Sequence, residues 1–117
     1  MDERSAIDAL SALAQTTRLD VFRALTTAEP QAIAAGELAK RNDIPQNTMS
    51  AHLAVLMRAG LISSERCGRS ILYRANLSSF HALMLFLLKD CCDGRPEICA
   101  PLLNELSPCC NPTRVIQ

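Results

Sequence analysis

Three observations predict a mainly α fold with a small two-stranded β-wing. A short helical segment, Gly36–Arg41, is broken by Asn42-Asp43 and followed by a longer one, Pro45–Ala59. Two strand-like runs joined by Cys67-Gly68-Arg69 come next. Two amphipathic segments precede this stretch and one long, strongly apolar segment follows it. Helix, turn, helix and hairpin in that order make a winged helix-turn-helix.

Residues 4–14 read as a first helix, with Ile7, Leu10 and Leu13-Ala14 along one stripe. Gln15-Thr16-Thr17 interrupts it. Thr17 and Asp20 have capping-box spacing ahead of the apolar series Val21, Phe22 and Leu25. Residues Thr26 to Pro30 read as a loop, and Ile33 leads into the helix-turn-helix. Leu38 and Ala39 share one face of its first helix. In the second, Pro45 suits a first helical position, where its missing N–H costs nothing. Met49, Leu53, Leu56 and Met57 then recur at helical spacing. Asn47, Ala51, Ala54 and Arg58 point the other way, with Thr48, Ser50 and Val55 on the flanks. A merely solvated face would carry Glu and Lys four residues apart. Gln46, Asn47, Thr48 and Ser50 instead offer short, uncharged donors and acceptors, which suit base edges in a major groove.

After Gly60, residues 61–66 and 70–74 read as two short strands, with Cys67-Gly68-Arg69 as the turn between them. Gly68 permits a positive φ at the tip, and Arg66 and Arg69 flank a hairpin that can lie along a phosphate backbone. Leu77–Cys92 is the last long helix, with Ser78 or Ser79 as its N-cap. Phe80, Leu83, Met84 and Leu87 cover one face, yet Leu85, Phe86 and Leu88 are apolar too. Packing on one domain needs an apolar stripe of about 100°. The excess predicts a homodimer in which the last helix and the first meet their copies. Gly94 ends that helix, giving a domain over 1–94 and a cysteine-containing extension over 95–117.

Formal net charge is zero over 117 residues, but it is unevenly spread. Residues 1–39 carry three Arg and six acids, and residues 75–117 carry three bases and four acids. Residues 40–74 carry Lys40, Arg41, Arg58, Arg66, Arg69 and Arg74 against Asp43 and Glu65. Positive charge therefore lies over the helix-turn-helix and wing, as binding to double-stranded DNA requires. The beginning, MDERSAIDAL, has no long apolar run, and the longest such run, Ala82–Leu88, is too short to span a bilayer. A cytoplasmic protein with its six cysteines reduced is expected, with no membrane partner. An enzyme is not: there is no C-x-x-C, and both histidines lie far from the cysteine pairs in sequence.

The segments ALSALAQTTRLDVFRAL, GELAKRNDIPQNTMSAHLAVLMRAGLI and RCGRSILYR, in that order, resemble the ArsR/SmtB family of metal- and metalloid-responsive bacterial repressors. The resemblance covers about residues 6–92. It implies a winged helix-turn-helix homodimer that binds operator DNA and releases it when its ligand binds. It places the DNA-reading face on Gln46, Asn47, Thr48 and Ser50, with His52 in a structural position. Ala51 departs from the family, whose members often carry a larger polar side chain there. The cysteine pair of the founding arsenic repressors is replaced here by Glu37-Leu38-Ala39-Lys40. The last helix offers His81, Asp90 and Asp93 without the ligand pairing of the zinc sensors.

The thiols that remain are Cys91-Cys92, Cys99, Cys109-Cys110, and Cys67 in the wing. Two vicinal pairs and a fifth thiol within residues 91–110 exceed what small apolar packing needs. Thiolate-only sites select soft ions. Trivalent arsenic or antimony is three-coordinate, so three sulfurs suffice. Neighbouring residues diverge by about 100° on a regular helix, so Cys91 and Cys92 converge only where the helix ends. Gly94 supplies that end, and residues 95–98 return the chain to bring Cys99 as third ligand. Cys109 and Cys110 are the alternative source of the third sulfur. The arrangement resembles family members whose arsenic thiols sit just past the last helix. A thiol-redox or other soft-metal response is the rival within the same architecture. A helix C-terminus disfavours thiolate, although Lys89 and Arg95 partly offset this. An ion that itself drives deprotonation fits better. As(III) or Sb(III) is the expected effector, with no organic cofactor.

Overall fold

The computed structural model describes residues 1–92 and, beyond them, Pro101 and Glu105. Helix α1 (Glu3–Leu13) starts at Asp2, whose carboxylate accepts the Ser5 N–H at 2.8 Å. That bond holds the Asp2 carboxyl below the usual carboxylate range. Helix α1 turns its alanines inward: Ala6, Ala9 and Ala12 are buried, while Ile7 is 54% and Leu10 42% exposed. The inward stripe is therefore not the Ile7–Leu10–Leu13 stripe expected from periodicity. Side chains no larger than a methyl let α1 approach α2 (Thr16–Ala28) and α4 (Gln46–Arg58) closely, and the larger residues are left outside.

The cap of α2 is Gln15, whose Oε1 accepts the Arg18 N–H at 2.9 Å, rather than a Thr17–Asp20 box. Gln15 is extended (φ −156°, ψ 134°), which lets a longer side chain reach the first turn in place of a threonine. Arg18 Nε then donates to the Ala12 carbonyl at 2.6 Å and ties α2 back to α1. Val21, Phe22 and Leu25 face the core as expected.

Strand β1 (Ile33–Ala34) leads into α3 (Ala35–Arg41), then α4, β2 (Ile62–Cys67), β3 (Ser70–Ala75) and α5 (Leu77–Cys92). The sheet is antiparallel in the order β1-β3-β2, so the expected two-stranded wing gains a third, two-residue strand. Ile33 pairs with Tyr73 and Ala34 with Leu72. Two residues carry no legible period, and their pairing with β3 alone makes them a strand. The hairpin closes through Gly68-Arg69, with Cys67 pairing Ser70. Gly68 has φ 61° and Arg69 no positive φ, as a II′ hairpin turn requires.

Proximity along the backbone divides the chain into Met1–Leu83 and Met84–Gln117, a boundary inside α5. The first unit holds the core, where Val21, Leu25, Leu38, Met49, Leu53, Leu56, Leu61 and Leu83 are fully buried. Phe22 and Phe80 meet there at 5.2 Å between ring centroids, tilted by 52°. The expected boundary between residues 94 and 95 lies outside the described residues. Among the described residues, no helix is long and apolar enough to cross a membrane.

Asn76 joins three elements. Its Oδ1 accepts the Ser79 N–H and its backbone carbonyl the Phe80 N–H, so Asn76, not Ser78 or Ser79, caps α5. Its Nδ2 donates to the Gly60 carbonyl at 3.1 Å and its backbone N–H to Leu61 at 2.8 Å. One side chain thus fixes the start of α5 against the end of α4. Asn76→Ala is expected to lower stability by about 1–2 kcal/mol through the lost cap and amide bond. Asn76→Asp keeps the cap and loses only the Gly60 bond, so its urea midpoint should fall between those of Ala and the unchanged protein.

Candidate nucleic-acid interface

Helix α4 is held by one buried stripe, Met49, Leu53 and Leu56, which packs into the core beside α1, α2, α3 and β2. Met57, expected in that stripe, is 38% exposed. At 100° per residue it lies at the stripe's edge, where the packed neighbours run out. Pro45 is the N-cap rather than the first helical residue. It is extended (φ −62°, ψ 150°), and its carbonyl accepts the Met49 N–H at 3.0 Å. Asp43, with φ 55°, turns the chain between α3 and α4.

With the stripe inward, Gln46, Asn47, Thr48 and Ser50 are all exposed, and His52 is half-buried at the edge. Asn47 Oδ1 accepts the Thr48 N–H at 3.0 Å, which leaves the Asn47 Nδ2 donors free. The four residues do not share one direction. Asn47 lies on the crest opposite the core, Thr48 on one flank, and Gln46 and Ser50 on the other, toward the wing.

The register of the wing sorts its charges by face. Directly opposed residues in an antiparallel pair lie on the same face. Arg66 opposes Ile71 and Ser64 opposes Tyr73, so these four share a face; Glu65 opposes Leu72 on the other. A cleft of about 290 Å³ opens between α4 and the wing, lined by Gly36, Gln46, Ser50, Arg69, Ile71 and Tyr73 among others. The structure therefore brings Gln46 and Ser50 together with Arg69. Tyr73 joins them although sequence reasoning missed it; its period-2 spacing from Ile71 and Arg69 was the available signal.

Two of the six bases counted over residues 40–74 are tied to acids of the preceding segment. Arg41 Nε meets Glu37 Oε2 at 3.0 Å, one helical turn away. Arg74 meets Glu29 twice, at 2.9 Å and 3.3 Å, and these bonds raise the Arg74 pKa. Lys40, Arg58, Arg66 and Arg69 have no carboxylate partner among the described residues. The positive surface is therefore smaller than the segment's formal charge, with Lys40 and Arg58 on the helix-turn-helix and Arg66 and Arg69 on the wing.

Among the cysteines, Cys67 is exposed at the end of β2. Cys91 and Cys92 stand in the last turn of α5. Their side chains, and Cys99, Cys109 and Cys110 entirely, lie outside the described residues. Among the described residues, no group of three or more His, Cys, Asp or Glu gathers at one point. His81 is exposed on α5.

A family model described as a helix-turn-helix domain matches residues 13–65. The transcriptional activator HlyU of Vibrio cholerae is 29% identical over 89 residues, which cover 76% of this chain and 80% of that protein. Among solved structures, an ArsR-like transcriptional regulator from Rhodococcus sp. RHA1 superposes with a TM-score of 0.68 at 24% identity, covering 83% of this chain and 89% of the other. A structure described as a "possible transcriptional regulator for arsenical resistance" gives 0.61 at 28% identity, covering 68% and 79%. A Mycobacterium bovis domain described as a homodimeric winged helix-turn-helix gives 0.61 at 24%, covering 71% and 75%. These relatives are regulators rather than enzymes, and the winged helix-turn-helix is the fold they share with this chain.

The ion pairs generate a test that separates the arginines. Arg66→Ala and Arg69→Ala should each reduce the slope of log affinity for duplex DNA against log salt by about one. Arg41→Ala and Arg74→Ala should change it by less, since their charges are already matched. Fluorescence anisotropy across a salt series reads all four slopes.

Proposed function

We propose that this chain, a winged helix-turn-helix of the ArsR-like and HlyU type, is a homodimeric cytoplasmic repressor released from operator DNA by trivalent arsenic or antimony. The observation that carries the DNA reading is the pairing of an uncharged, outward crest on α4 with two arginines near the wing tip, Arg66 and Arg69, that have no carboxylate partner among the described residues. A neutral donor and acceptor crest reads base edges, and unmatched guanidinium groups neutralise phosphates.

Dimerisation is supported by the large apolar residues left outside on the first and last helices. Ile7 and Leu10 of α1 and Leu77 and Leu85 of α5 are all more than a third exposed. A two-fold dimer buries such faces against their copies and presents two recognition helices. Those helices would address half-sites about one helical turn, roughly 34 Å, apart.

The effector reading rests on the chemistry of the donor set. Cys91, Cys92 and Cys99, with Cys109 and Cys110 as the alternative third donors, supply thiolates alone, which suit a soft three-coordinate ion. The relative described for arsenical resistance supports the same class. Helix α5 is capped by Asn76, whose amide is bonded to the Gly60 carbonyl just beyond α4, and runs on to Cys92. Gathering thiols at its far end biases that helix, and a coupling of about 1–3 kcal/mol lowers operator affinity roughly 5–150-fold. By reciprocity, operator DNA weakens metalloid binding by the same factor.

Asn47→Ala is expected to reduce discrimination between preferred and mismatched duplexes by about 1–3 kcal/mol. Unchanged discrimination would remove α4 as the reading helix. Cys91→Ser and Cys92→Ser should bind operator normally yet fail to release it with arsenite, whereas Cys67→Ser should release it. Loss of release in Cys109→Ser but not in Cys99→Ser would move the third sulfur to the 109–110 pair. Release by a disulfide-forming oxidant and not by arsenite would replace the metalloid reading with a redox one.

A further inference from the structure

The cleft between α4 and the wing does not face where the crest of α4 faces. Met49, Leu53 and Leu56 define the buried direction of the helix. Asn47 and Ala51 lie nearly opposite to it, whereas Gln46 and Ser50 lie one turn apart on a single flank. That flank meets Arg69, Ile71 and Tyr73 across an opening of about 290 Å³. The polar lining can donate throughout: a guanidinium (Arg69), three hydroxyls (Ser50, Ser70 and Tyr73) and a carboxamide (Gln46). It contains one cation and no carboxylate.

The wing register keeps negative charge away from this opening. Arg66 opposes Ile71, so it shares the sheet face of Ile71 and Tyr73. Glu65 opposes Leu72 on the reverse face, where its charge adds to that of Glu29 around Arg74. At the rear of the cleft, Gly36 has no side chain to fill the space. A Cβ built there would meet Gln46 Oε1 at 3.9 Å and no other atom within 4 Å. The opening thus favours an oxygen-rich anion, because its one charged group is a guanidinium and no carboxylate lines it.

The geometry points to a seat for one backbone phosphate of duplex DNA in this cleft, with Tyr73 as a further DNA contact and with Gln46 and Ser50 contacting phosphate rather than bases. This rests on the DNA-binding reading above. A helix whose crest enters a major groove about 12 Å wide brings its flanks against the groove walls, and those walls are phosphodiesters. Serine, tyrosine and glutamine are ordinary phosphate donors, and such contacts fix register without carrying sequence information. Base reading then falls to Asn47 on the crest, with Ala51 adding only a methyl and Thr48 on the opposite flank.

The test uses the full-length dimer, a duplex selected from a randomised pool, and a scrambled duplex of equal length. Tyr73→Phe keeps the ring in the sheet and removes only the hydroxyl. It is expected to weaken both duplexes by the same factor, roughly tenfold for a bond to a charged acceptor. Ser50→Ala should behave likewise, while Asn47→Ala changes the ratio between the two duplexes. Neutral methylphosphonates placed one at a time then identify the phosphate. One position per half-site should weaken the unchanged protein by a similar factor and cost Tyr73→Phe nothing further. Losses that add at every position, or a Ser50→Ala variant that alters the preferred sequence, would overturn the seat while leaving DNA binding standing. A protein that binds neither duplex with steep salt dependence would overturn both readings.

Discussion

The buried stripe of α4 is the constraint on which the interface depends. Much of it is a poor helix by local preference: Asn47, Thr48, Ser50, His52 and Val55 all disfavour helix relative to alanine, by roughly 2–3 kcal/mol together. The N-cap adds no side-chain bond, because Pro45 has none to give. Full burial of Met49, Leu53 and Leu56 contributes roughly 5–9 kcal/mol at about 1.5–3 kcal/mol each, an upper bound, yet still larger than the propensity deficit. Tertiary packing therefore holds the helix, and the outward positions are free of any structural duty. That freedom is what allows them to be short, uncharged and unpaired.

Electrostatics follows from the same packing. A chain with no net charge presents a positive wing because its acids are placed elsewhere or spent on specific partners. Glu29, whose side chain is only 17% exposed, holds Arg74 across 45 residues of sequence and fastens the base of β3 to the end of α2. Glu65 is turned to the reverse face of the hairpin by register alone. Arg66 and Arg69 are left with no acid among the described residues to satisfy them, which strengthens their reach for an external anion. Formal charge over a segment located the surface correctly and overstated its strength.

Element types and their order were legible because each depends on a local period. Residues 45–59 repeat at helical spacing, residues 61–66 and 70–74 are short runs either side of a glycine turn, and α5 covers Leu77–Cys92, the span expected for the last helix. The misses share a different cause. Periodicity shows that α1 has an apolar side, but Ala6, Ala9 and Ala12 repeat as regularly as Ile7 and Leu10. Only the closeness of α2 and α4 decides which set turns inward. The caps Gln15 and Asn76 each sit one to three residues before the residues favoured by local rules, since reach and backbone angle, not residue type alone, choose the acceptor. The strand Ile33–Ala34 and the Glu29–Arg74 pair exist only through partners some 40 residues away. At the interface the residue types were legible from the sequence. The division of α4 into crest and flank needed the position of the wing.

The inward turn of the alanines on α1 bears on how a distant thiol site could speak to the DNA. A helix seated through methyl-sized side chains makes shallow contacts, and shallow contacts offer little resistance to a small shift. Its larger residues, Ile7 and Leu10, are left exposed by the described residues and would be buried by a second copy, as would Leu77 at the start of α5. In such a dimer a change at the far end of α5 would act on the subunit interface. The Asn76 junction stands at the opposite end of α5, with hydrogen bonds to Gly60 and Leu61 just beyond α4. Movement of α5 would therefore reach the recognition helix through that residue, and the stiffness of the junction sets how much of the shift becomes a change in the tilt of α4.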